Sequence, residues 1–151
     1  HYPEVEVIRA GKADGVITGG SITLLQHLIG TTYDWTSKDS ILFIEDVDEV
    51  LYKLAEKLRH LQLAGKFKGV KAVLVGEMVD IADGETGFAR DGEQPYGQEL
   101  RQILLDVLPP DVPLCFNFPC GHGRHLTTLP VGAYAHLALD ACGAELAFIV
   151  D

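Results

Sequence analysis

The chain has 151 residues and a formal net charge of −10 at neutral pH. That length suits one ordinary domain, and the acidic balance argues against a nucleic-acid partner, which would need clustered lysine and arginine. Hydrophobic residues make up 47%, enough for a real core, while no apolar run approaches the ~18 residues of a membrane helix, so no membrane partner is expected.

The N-terminal stretch lacks the basic-then-apolar layout of a signal peptide. It also lacks a start methionine, which reads as a piece cut from something longer. The cysteines are Cys115, Cys120 and Cys142, an odd count at irregular spacing and not a disulfide framework. Cys115 and Cys142 lie in apolar stretches and read as small buried hydrophobes. A reducing, cytoplasmic home is the expectation.

In chain order, "EVEVIR" (4–9) alternates polar and apolar residues, the period of a half-buried strand. "DGVITGG" (14–20) repeats the pattern and ends in a Gly-Gly turn. "SITLLQHLI" (21–29) predicts a helix capped by Ser21, with Leu24, Leu25 and Leu28 on one face, stopped by Gly30. "ILFIED" (41–46) is a continuous apolar run turning acidic, the pattern of a strand buried on both faces. A helix follows over 48–64, with Val50, Leu51, Leu54, Leu58 and Leu61 as its apolar stripe and Gly65 as its stop. Lys53, Lys57, Arg59, Lys66, Lys68 and Lys71 fall on that helix and the turn after it, a solvated basic face.

"VKAVLVGEM" (70–78) reads as a second buried strand, and the strand–helix–strand order fits a parallel crossover. Residues 80–95 form the longest loop, polar and glycine-rich, either a lid or specificity element or a variable surface excursion. A helix over 96–107 ends at Pro109-Pro110, and "VPLCFNF" (112–118) is a further strand. The remainder suggests a closing pair or trio of strands. Strands outnumber helices and both ends are β, so residues 1–151 read as one mixed α/β domain, layered β/β/α rather than doubly wound.

The chemistry concentrates in "FPCGHGRH" (118–125). Cys120, His122 and His125 are zinc-ligand types, but a structural zinc takes four ligands and no second ligand pair lies elsewhere. No metal and no cofactor are expected. His27, His60 and His136 stand singly. The only serines are Ser21, Ser37 and Ser40, and none sits in a G-x-S-x-G elbow. Cys120 remains open as a thiol nucleophile beside His122.

What survives is a base and an orienter without a hydroxyl. Glu45 ends a buried strand, where an acid needs a partner and where open α/β sheets gather ligands. His122 is flanked by Gly121 and Gly123, which leave its ring room. The two could make the carboxylate–imidazole half of a triad. Alternatively, Glu45 or Asp46 serves the N-terminus of the next helix.

Three blocks together resemble the C-terminal domain of the LD-carboxypeptidase family of serine peptidases, which also holds the microcin C immunity peptidases. They are "GVITGGSITLLQHLIGTTYDW", "ILFIEDVDEVLYKLAEKLRHLQLAGKFKGVKAVLVGEM" and "PLCFNFPCGHGRHLTTLPVGA", in the family's order. The resemblance implies a swivelling β/β/α-type domain with a mixed sheet. A preceding flavodoxin-like domain, absent from this chain, would carry the serine nucleophile. The family's catalytic glutamate falls on Glu45 and its histidine on His122; no metal is implied. The implied reaction releases D-alanine from murein tetrapeptide in cytoplasmic peptidoglycan recycling, and family members are commonly homodimers. Microcin-type members cleave a peptidyl or aminoacyl adenylate mimic instead. One departure is visible: where the family helix often reads Tyr-basic-apolar-Asp-Arg, this chain reads Tyr52-Lys53-Leu54-Ala55-Glu56. That change leaves open a non-catalytic binding or dimerisation module that kept the fold.

Overall fold

The computed structural model describes residues 5–82 and 100–149. Most of the 80–95 loop, the first turn of the helix expected from 96, and Glu4 of the first strand lie outside the described residues.

The elements are β1 (Glu6–Arg9), β2 (Gly11–Ser21), α1 (Ile22–His27), β3 (Ser40–Glu45), β4 (Val47–Val50), α2 (Leu51–Leu63), β5 (Ala72–Glu77), β6 (Val79–Ala82), α3 (Leu100–Val107), β7 (Leu114–Gly121), β8 (Tyr134–Asp140) and β9 (Gly143–Phe148). Seven strands form one mixed sheet in the order β1-β7-β5-β3-β2-β8-β9. Its centre, β2-β3-β5-β7, is parallel, and β1, β8 and β9 add antiparallel edges. The mixed α/β class holds, with the helices gathered on one side of the sheet.

Alternation along the central strands builds two cores. Leu42 and Ile44 of β3 and Val73 and Val75 of β5 point to the helices, where they meet Ile22 and Leu25 of α1, the α2 stripe Leu51, Leu54, Leu58 and Leu61, and Ile103 and Leu104 of α3. Ile41 and Phe43 of β3 and Leu74 of β5 point the other way, onto Ile17, Cys115 and Leu137. No helix among the described residues covers that second face. The sheet curls over it instead, so that Val5 and Val7 at one edge and Leu146 and Phe148 at the other pack onto the same cluster.

Five local expectations are corrected. Cys142 is not buried: it is exposed in the turn between β8 and β9, whereas Cys115 is buried as expected. Gly19-Gly20 is not a turn: β2 runs through it to Ser21, because β2 passes so close to β3 that a Cβ at residue 19 would strike the Phe43 carbonyl. Leu24 does not share the apolar face of α1. It is 64% exposed, and Ile22 and Leu25 are the buried pair. The second helix starts at Leu51, not Asp48, since Asp48 has φ 52° and belongs to β4. Finally, the start of the expected 80–95 loop, residues 80–82, belongs to β6, which pairs with β4 in parallel to make a small second sheet beyond the ends of β3 and β5.

Candidate active site

The parallel strands β3, β5 and β7 all end at one edge of the sheet, and each delivers a chemical group there. β3 ends in Glu45 and β5 in Glu77; β7 ends in Gly121, with His122 next. Glu45 and His122 are 77 residues apart in sequence, yet His122 Nδ1 lies 2.8 Å from Glu45 Oε2. In that geometry Nδ1–H donates to the carboxylate, and Nε2 is left to accept a proton. The Glu45 side chain is 6% exposed and that of His122 is 54% exposed. A sealed carboxylate therefore holds a ring whose far side faces solvent.

Glycines make this approach possible. Gly121 has φ +98°, and a Cβ there would sit 2.6 Å from Glu45 Oε2. At Gly76, on the strand between, a Cβ would stand 2.8 Å from Cys120 Sγ and 3.1 Å from Glu45 Cβ. A methyl at Gly123 would land on the Glu77 carboxylate. Glu77 is a member of the site that the sequence reading passed over; the only available signal was an acid ending an apolar run, the same signal that marks Glu45.

Other candidates go elsewhere. Cys120 is 3% exposed. Burial, reinforced by the charges of Glu45 and Glu77, pushes its thiol up to about 12, so it is not a nucleophile at neutral pH. Among the described residues no group of three or more His, Cys, Asp or Glu side chains is arranged to hold a metal ion. His125 lies half-buried in the loop after β7. His60 Nδ1 is 3.1 Å from Gln26 Nε2. His136 Nδ1 is 2.6 Å from Asp14 Oδ1 across β2 and β8, but both side chains are more than half exposed.

None of the serines offers its hydroxyl to His122. Ser21 Oγ donates to Asp46 Oδ1 at 3.4 Å and accepts from Leu24 N–H. Ser37 Oγ donates to the Lys66 carbonyl, and Ser40 Oγ to the Ser37 carbonyl. Asp46 does cap a helix, but the preceding one. Its Oδ2 accepts from Thr23 N–H at 3.1 Å and from Thr23 Oγ1 at 2.8 Å, because parallel β2 brings the start of α1 beside the end of β3.

Residues 14–137 match the family model for the LD-carboxypeptidase C-terminal domain. The chain belongs to that family. Among its relatives, a protein described as a probable murein peptide carboxypeptidase of Bacillus subtilis is 29% identical over 126 residues, covering 83% of this chain and 37% of that protein. The microcin C7 self-immunity protein MccF of Escherichia coli is 28% identical over 137 residues, covering 87% and 35%. The crystal structure of muramoyltetrapeptide carboxypeptidase from Oxalobacter formigenes matches with a TM-score of 0.76 at 27% identity, over 96% of this chain and 49% of that one. The chain thus spans less than half the length of these LD-carboxypeptidase relatives. No helix among the described residues is long and apolar enough to cross a membrane.

Proposed function

We propose that this domain supplies the imidazole and carboxylate of a Ser-His-Glu triad, completing a serine-type LD-carboxypeptidase whose nucleophile lies in a preceding domain. The observation that carries the reading is the 2.8 Å contact between a half-exposed His122 ring and a buried Glu45. His122 Nε2 takes the proton of the incoming serine hydroxyl as the oxygen attacks the scissile carbonyl, then returns it to the leaving amine. Glu45 fixes the tautomer through Nδ1–H and stabilises the imidazolium. Backbone donors for the oxyanion belong to the nucleophile domain.

The substrate of this reading is a murein tetrapeptide, cleaved at its L,D-peptide bond to release D-alanine, in the cytoplasm and by a homodimer. In the two-domain protein, His122→Ala and Glu45→Ala each lower kcat/KM for D-alanine release by about 10²–10⁴-fold. The 151-residue chain alone releases none. A His122→Ala protein that keeps its activity overturns the proposal. The similarity to MccF supports a second reading, hydrolysis of an aminoacyl adenylate mimic. The same pair of variants assayed on such a mimic and on murein tetrapeptide separates the two by their kcat/KM ratio.

A further inference from the structure

The scheme above leaves one charged side chain of the site idle. Glu77 ends β5, and its register partner on β7 is Gly121. Its Oε2 is buried and has no hydrogen-bond partner among the described residues. Among the described residues no lysine, arginine or histidine forms an ion pair with it. A desolvated, unpaired carboxylate oxygen is costly, and such groups concentrate where their charge is used.

Its place is specific. The Glu77 carboxylate occupies the space that a side chain at residue 123 would need. Glu45 does the same beneath residue 121. The two acids therefore pack against the backbone positions on either side of His122. Their charge reaches this loop: both act on Cys120, two residues before the ring.

We propose that Glu77 is a positioning residue for His122, seating the loop from beneath Gly123 while its unneutralised charge stabilises the imidazolium formed during proton transfer. Among the described residues, the ionisable groups placed at or next to His122 are Glu45 from β3, Glu77 from β5 and, as its chain neighbours, Cys120, Arg124 and His125. Cys120 is neutral at working pH and Arg124 is exposed to screening solvent, so the carboxylates set the local field. The role in catalysis rests on the peptidase reading; the coupling between Glu77 and the ring does not.

The test is the ring-proton titration of His122, followed by NMR in the 151-residue chain. Glu77→Gln keeps the shape and removes the charge. With a neighbouring negative charge gone the imidazolium is less favoured, so the titration midpoint falls, by about 0.3–1 pH unit. Glu77→Asp, which keeps the charge, restores most of it. Gly123→Ala, which drives the carboxylate from its seat, moves the midpoint in the same direction as Glu77→Gln and serves where that variant does not fold. In the two-domain enzyme Glu77→Gln lowers kcat about 3–30-fold with KM unchanged, and the acid limb of the pH–rate profile moves down with the midpoint. A midpoint that coincides with wild type in the variants that fold overturns the proposal. Retained activity in His122→Ala overturns the peptidase reading instead, and leaves the NMR result standing.

Discussion

At the scale of single residues, the site is built as much from missing side chains as from present ones. Gly76, Gly121 and Gly123 vacate the volume into which Glu45, Cys120 and Glu77 fit. The same crowding decides cysteine behaviour. Burial holds Cys115 and Cys120 as neutral thiols, both pushed from 9.0 up to about 12. Iodoacetamide on the folded chain near pH 8 therefore yields a single adduct by mass spectrometry, at exposed Cys142. A raised acid pKa means that the native state keeps protons the unfolded chain has lost. Stability is accordingly unaffected by these thiols below pH 9 and falls between pH 9 and 12. The loss is read as a declining urea midpoint across that window. Of the site itself, the sequence marks both ends of the Glu45–His122 pair: an acid closing an apolar run, and an imidazole between glycines. Glu77 carries the first of those signals, but its role cannot be read from it. Its place depends on which backbone passes over it, and nothing local at residue 77 records that Gly123 will.

At the scale of elements, caps and alternation explain what the sequence reading reached. β3 and β5 are recognisable as apolar runs because both faces are buried, and α2 because four leucines repeat at helical spacing. β4 and β6 are invisible, since four-residue strands with Asp48 and Asp80 at positive φ carry no alternation to read. The start of α1 shows how an element is held from outside. Thr23 N–H and Thr23 Oγ1 in its first turn donate to Asp46, a 3% exposed carboxylate at the junction of β3 and β4. Asp46→Ala strands these donors and removes the acceptor at the helix N-terminus, at a cost of about 1–3 kcal/mol in urea unfolding. Asp46→Asn, which keeps one acceptor oxygen, loses less. The helix in question has six residues, too short to stand without that support.

At the scale of the whole molecule, the central strands belong to both cores at once. A residue lost from the helical face and one lost from the curled face weaken the same backbone. The chain therefore unfolds as one unit. Trp35, its single tryptophan, packs on the helical core and donates through Nε1 to the Leu25 carbonyl at 2.9 Å. Its fluorescence in rising urea superimposes on far-UV circular dichroism, which weighs the whole sheet; separated curves would mean that the helical layer melts alone. The shared strands also limit how such a chain can change length. Ile41, Phe43 and Glu45 lie on one face of β3, while Leu42 and Ile44 lie on the other. Deleting or inserting a single residue within this strand exchanges the two sets. The acid would turn under the helices, and an apolar side chain would meet the imidazole. A two-residue change preserves the face but slides the carboxylate about 6–7 Å along the strand, beyond reach of the ring. Length variation in this protein is thus confined to its connections, and β3 is a strand whose residue count is itself a functional property.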